Sequence, residues 1–176
     1  MTKKIAVLVV NPVNGFGLFQ YLEAFYENKL VFKTFAVAET VNVKTNSGVA
    51  LTTDDVVSNL KGREGDFDAL VFACGDAMPV FSQNADKQYN RDMLAVIRAF
   101  GEAGKTVAGH CVAALMFDIA GIAAGKRVAL HPFIKTAVQS AIPTDEKSCI
   151  DGNLFTAQNE NTIWTMIPQL IETLRN

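Results

Sequence analysis

Three apolar runs, KIAVLVV at Lys4 to Val10, DALVFA at Asp68 to Ala73 and TVAG at Thr106 to Gly109, constrain this chain most, because each is continuous rather than alternating. A strand that is apolar on both faces must be covered on both faces, which is the condition of a parallel sheet between helical layers. Helical spacing does follow each run. Phe19, Leu22 and Tyr26 lie three and four residues apart after the first, and Met93, Ile97 and Phe100 mark a helix that ends near Gly104. A second strand is expected at Leu30 to Val37, so the chain opens as a βαβ unit.

The remaining elements are shorter. Thr40 to Thr52 reads as a hairpin around Asn46-Ser47-Gly48, and Asp54 or Asp55 is expected to start a brief helix. Gly121 and Gly125 bracket a turn before a strand at Arg127 to Leu130. Ser148 to Ala157 reads as a hairpin turning at Asp151-Gly152. A last helix carries Ile163, Ile167, Leu170 and Leu174, with Pro168 kinking it or starting its second half. The pattern predicts a single doubly wound α/β domain over residues 1–176.

Its length of 176 residues, with 49% hydrophobic and 19% charged, suffices for a full core. Sixteen basic against eighteen acidic residues, in no run of like charge, argue against nucleic acid as a partner. The opening MTKKIAVLVV is too short and lacks the cleavage pattern of a secretory signal, and reads as a first strand. No apolar run approaches the ~20 residues that span a bilayer, so no membrane partner is expected. Three cysteines at irregular spacing fit a reducing compartment, and a cytoplasmic location is expected.

Chemistry in such a sheet gathers beyond the carboxyl ends of the strands. Those ends carry Asn11-Pro12, Cys74-Gly75-Asp76, His110-Cys111 and His131. Cys111 stands where a strand gives way to a helix, a corner that exposes its side chain to unpaired N–H groups and favours thiolate over thiol. The segment reads as a nucleophile elbow without the flanking glycines of GxSxG. The competing role is that of a small core hydrophobe, the commoner fate of a free cysteine. Both histidines of the chain flank this segment, which tips the reading toward an active thiol.

A thiolate attacking a carbonyl needs donors for the oxyanion, and the backbone N–H groups of Gly75 and Val112 are the candidates; Gly75 equally suits an ordinary tight turn. His131 is the first choice to move the proton. His110 is the second, because neighbouring strand residues point to opposite faces; a structural role is its alternative. Cys74 either forms a reversible disulfide with Cys111 or is a buried inert thiol. Neither CxxC nor HxxxH spacing occurs, and NPVNGFG matches no phosphate loop, so no metal and no cofactor are expected.

The stretch KTVAGHCVAALMFDIAGIAAGKRVALHP, with DALVFACG before it and IDGNLFTAQNENTIWTMIPQLIETL after it, resembles the ThiJ/PfpI superfamily, to which the DJ-one proteins belong. The resemblance implies a flavodoxin-like three-layer sandwich, usually a homodimer or higher homo-oligomer. It maps the nucleophile to Cys111, the elbow donors to Gly75 and Val112, and a histidine before proline to His131. The implied activity is that of a cysteine hydrolase, protease- or amidase-like, acting on a peptide or small carbonyl substrate; glyoxalase or deglycase activity is the nearest alternative. A non-catalytic redox-sensing or stress-response module using a reactive Cys111 is the alternative from another class. Two departures stand out. Most members have a glutamate in the opening turn of the first helix, where this chain has Gly17, and the nearest glutamate, Glu23, lies roughly 9 Å of helix further on. Protease-type members carry a histidine after the cysteine, whereas this chain has Val112 there and His110 before it.

Overall fold

A computed structural model describes residues 3–176. The chain runs β1 (Lys4–Val10), α1 (Gly15–Glu27), β2 (Val31–Val37), β3 (Asn42–Lys44), β4 (Ala50–Thr52), β5 (Asp55–Val56) and α2 (Val57–Leu60). Then follow β6 (Ala69–Ala73), α3 (Gln88–Glu102), β7 (Thr106–His110), α4 (Ala113–Ile119), β8 (Arg127–Val128), β9 (Ile142–Pro143), β10 (Ser148–Asp151), β11 (Leu154–Ala157) and α5 (Ile167–Arg175). Seven strands form one sheet in the order β10-β11-β7-β6-β1-β2-β5, parallel except for the edge strand β10. Helices α1 and α5 pack together, and α2, α3 and α4 pack in succession, giving the two outer layers of a three-layer sandwich.

The continuous apolar runs are buried as their composition requires. All five residues of β6 and six of the seven in β1 are buried. Because β1 leads to β2 on one side while β6 lies on its other side, the winding direction reverses between β1 and β6. The crevice that opens at such a reversal is where α/β folds bind ligands.

Two expectations need correction. The expected strand at Arg127 to Leu130 pairs only through Arg127 and Val128, in a separate two-stranded ribbon with β9. The Ala129 N–H donates instead to the Thr156 hydroxyl (2.9 Å), because β10 and β11 already complete that end of the sheet. The brief helix begins at Val57 rather than at Asp54 or Asp55, since Asp55 and Val56 extend the sheet beside β2. Pro168 starts α5 after a separate turn of 3-10 helix, where its missing N–H costs nothing. The Thr40 to Thr52 hairpin is present as β3 and β4, and its turn reaches the crevice: Val13 N–H donates to Lys44 O (3.0 Å) and Asn46 N–H to Val13 O (2.8 Å). No helix of the described residues is long and apolar enough to cross a membrane.

The segment after α4 is anchored by Asp118, whose carboxylate accepts the N–H groups of Gln139 (2.8 Å), Ser140 (3.2 Å) and Ala141 (2.8 Å) and the Ser140 hydroxyl. These bonds outweigh burial and hold its carboxyl below the ordinary carboxylate range.

Candidate active site

Strand β7 ends at His110, yet the Cys111 N–H still bonds to Ala157 O of β11 (3.0 Å), while Cys111 O accepts from His131 N–H (3.4 Å). Held at both groups, Cys111 turns through the left-handed region, at φ 58°. That conformation costs a non-glycine residue about 1–3 kcal/mol and persists only where the surroundings fix it. It aims the half-buried thiol into a cleft of about 200 Å³ between the ends of β1, β6 and β7. Gly75, Val112, His110, His131 and Cys74 all line this cleft, so the structure brings together every expected site residue.

Gly75 is required by contact. A Cβ there would stand 2.3 Å from Pro12 O and 2.4 Å from Val13 Cα, because the β6 exit lies directly against the turn from β1 to α1. Asn14 N–H closes the contact on Cys74 O (2.9 Å). Among the described residues, neither the Gly75 nor the Val112 N–H is spent on a main-chain carbonyl.

The two thiols are free and electrostatically linked. Cys74, 2% exposed, lines the cleft with Cys111, and its S–H approaches Gly75 O at 4.0 Å. The neighbouring Cys74 thiol lowers the Cys111 pKa, assisted by Val112 N–H and opposed by burial and by the carboxylates of Glu160 and Asp76. The same pairing, with burial, pushes Cys74 well up. Cys111 is therefore the more acidic thiol of the pair. Replacing Cys74 with alanine is expected to move the pH midpoint of Cys111 alkylation by iodoacetamide upward and to slow the reaction at neutral pH. An unmoved midpoint would show that the thiolate is held by other groups.

His110 and His131 differ sharply. His110 is 1% exposed, and burial lowers its pKa to about 3, so its ring is neutral at physiological pH. Its Nδ1 lies 3.4 Å from the Tyr21 hydroxyl. Burial, with Cys74 nearby, pushes that phenol well above its usual value and keeps it protonated. The ring occupies the space beside Gly17: a Cβ on Gly17 would fall 2.6 Å from His110 Nε2. Gly17 is thus the residue that lets His110 lie under the cleft. His131 is half-buried at the mouth. Its Nδ1 accepts from Phe133 N–H (3.4 Å) and its ring packs on Phe133, with centroids 5.1 Å apart, leaving Nε2 as the working atom.

Asn14, Asn46 and Glu160 also line the cleft, and sequence reasoning did not single them out. Asn14 caps α1 by accepting from Gly17 N–H (2.8 Å), and Asn46 accepts from Asp76 N–H (3.1 Å). A capping signal was readable for Asn14, whereas Glu160 lies in a loop with no pattern of its own. Among the described residues no group of three histidine, cysteine or acidic side chains is placed to hold a metal ion.

The chain is 63% identical over 175 residues to Protein ppBat of Bacteroides thetaiotaomicron, covering 99% of this chain and 100% of that protein. The crystal structure named "putative protease I" from the same organism superposes with a TM-score of 0.97 at 63% identity, covering 98% of this chain and 99% of that one. Drosophila melanogaster DJ-1beta, at 19% identity, shares the fold with a TM-score of 0.83 over 99% of this chain and 91% of that one. The model of the DJ-1/PfpI family matches residues 3–173. A match over nearly the whole chain, joined to a full-length relative of that identity, establishes that this protein belongs to the DJ-1/PfpI family.

Proposed function

We propose that this chain is a cysteine-nucleophile hydrolase acting on small carbonyl compounds of the amide class. The observation that carries the reading is the left-handed Cys111 in one cleft with Gly75 and Val112, whose N–H groups bond to no main-chain carbonyl among the described residues. The thiolate attacks the carbonyl carbon, the C=O electron pair moves to oxygen, and the two N–H groups hold the oxyanion. Collapse breaks the C–N bond, and the departing amine takes a proton from His131, which draws one from solvent in exchange for its 3.4 Å bond from Phe133 N–H; water then adds to the thioester carbon, and the C–S bond breaks to return the thiolate and release the acid. A cleft of about 200 Å³ accommodates a few heavy atoms rather than a folded peptide, which favours a small substrate or a single residue of a longer one. The protease name of the B. thetaiotaomicron relative supports hydrolysis as the reaction class.

Turnover of chromogenic amides, short peptides and methylglyoxal, with the wild type and Cys111→Ala side by side, tests this. Amide hydrolysis that falls to the uncatalysed rate in the variant is the expected result, and equal rates overturn it. Cysteine-dependent consumption of methylglyoxal without amide hydrolysis would reassign the site to glyoxalase or deglycase chemistry.

The Cys74 thiol against Cys111 favours a second reading, a peroxide-responsive thiol. Mild peroxide followed by intact mass measurement reads it: oxygen added to Cys111, or two hydrogens lost as Cys74 pairs with it, supports this reading.

A further inference from the structure

Whatever the leaving amine carries has to find room outside the cleft. A volume of about 200 Å³ takes the scissile carbonyl and a few atoms on its acyl side, so a substituent on the amine passes out through the mouth. Its direction follows from the proton that the amine receives. His131 hands over that proton, so the amine nitrogen comes within hydrogen-bond reach of the His131 ring. The substituent begins one bond further on.

Phe133 is the side chain beside that point. Its ring packs on His131 with centroids 5.1 Å apart and planes inclined at 36°. It is 90% exposed, the most of any large hydrophobic side chain among the described residues. A single exposed hydrophobe is common. Two observations set this one apart. The turn of 3-10 helix that carries it, Pro132–Ala137, is tied down: Ile134 N–H donates to His131 O (3.0 Å), Lys135 pairs with Asp145, and Ile134 and Val138 pack against the core. Phe133 turns outward from a turn that is otherwise anchored. The exposed part of the cleft's lining is also short of apolar surface, with Asn46 and Asp76 polar and Pro79 the one apolar residue. Phe133 supplies the large apolar surface that the lining lacks.

We propose that Phe133 is a specificity-determining residue that receives an aromatic or large aliphatic group borne by the leaving amine. The preferred substrates are then N-substituted amides, including peptides with a large apolar residue on the amine side of the scissile bond. The inference rests on the hydrolase reading above and names its substrate class. The contact also has a consequence for rate. A group seated against Phe133 holds the amine nitrogen beside His131, so its binding energy is spent on C–N cleavage. Attack of water on the thioester follows departure of the amine and owes nothing to Phe133.

Benzyl, methyl and unsubstituted amides of one short acyl group test this, with Phe133→Ala and Phe133→Tyr beside the wild type. The wild type is expected to favour the benzylamide over the methylamide about tenfold in kcat/KM. Phe133→Ala is expected to lose that preference while hydrolysing the methyl and unsubstituted amides at the wild-type rate, and Phe133→Tyr to keep it. Deacylation of an acyl-enzyme formed from an activated ester is expected to run equally fast in all three proteins. A benzyl preference that is absent from the wild type, or that survives in Phe133→Ala, overturns the proposal and leaves the hydrolase reading standing. Equal slowing of all three amides in Phe133→Ala also overturns it, reducing Phe133 to a support for His131. A surviving preference joined to loss of an oligomer by light scattering would assign the ring to contact with a second copy of the chain. Failure of the wild type to hydrolyse any of the amides through Cys111 overturns the hydrolase reading, and this proposal with it.

Discussion

Gly75→Ala is expected to destabilise the protein by about 3 kcal/mol and to remove cysteine-dependent turnover, the upper end of what overpacking costs. The added methyl would meet Pro12 O at 2.3 Å, Val13 Cα at 2.4 Å and Asn14 N at 2.6 Å, all main-chain atoms with no rotamer to yield. Those atoms are themselves clamped. Val13 is bonded on both sides to the β3–β4 hairpin, and Asn14 donates to Cys74 O (2.9 Å) while capping α1. Relief of the clash therefore requires β6 and the β1–α1 turn to separate. That movement displaces the Gly75 N–H from the cleft, and loss of one oxyanion donor lowers kcat by about 10²–10³-fold. Urea unfolding midpoints and kcat for the variant check both halves. A variant with wild-type midpoint and wild-type turnover would remove Gly75 from the site.

The place of the cleft was legible in the sequence because β1, β6 and β7 are apolar on both faces, and their polar exits therefore stand out. Cys111, Gly75, Val112 and His131 were found that way. The relation of His110 to Cys111 was not, since alternation along a strand assigns neighbours to opposite faces. The left-handed turn at Cys111 breaks that alternation, and both side chains line one cleft. Glu160 was invisible for a different reason. Its position depends on a hydrogen bond from Gln20, 140 residues away in sequence, and on a turn tied by Asn159 and Thr162, neither of which has periodicity to read. Arg127 to Leu130 misled because its composition suits a strand, while pairing depends on whether a sheet edge is free, and β10 and β11 had taken it.

Gly17 shows why one departure from the pattern of relatives is best read together with a second. Gly17→Ala is expected to destabilise the protein by about 1–3 kcal/mol, although glycine to alanine within a helix otherwise gains stability. The new Cβ would press on His110 at 2.6 Å from Nε2 and 2.8 Å from Cε1. The ring cannot easily retreat, being 1% exposed and packed on Tyr21 with centroids 5.8 Å apart. In a His110→Ala background the same substitution meets Glu160 Cβ at 3.5 Å, an ordinary contact, and the cost is expected to vanish or change sign. A double-mutant cycle of denaturant midpoints measures this as a coupling energy between residues 17 and 110. Additive effects would show that the two positions are independent. Coupling would mean that a side chain at position 17 and an imidazole at position 110 exclude one another. A glutamate restored at position 17 would then need a small residue at position 110 before it could approach Cys111, and Gly17→Glu alone is expected to be the less stable of the two variants.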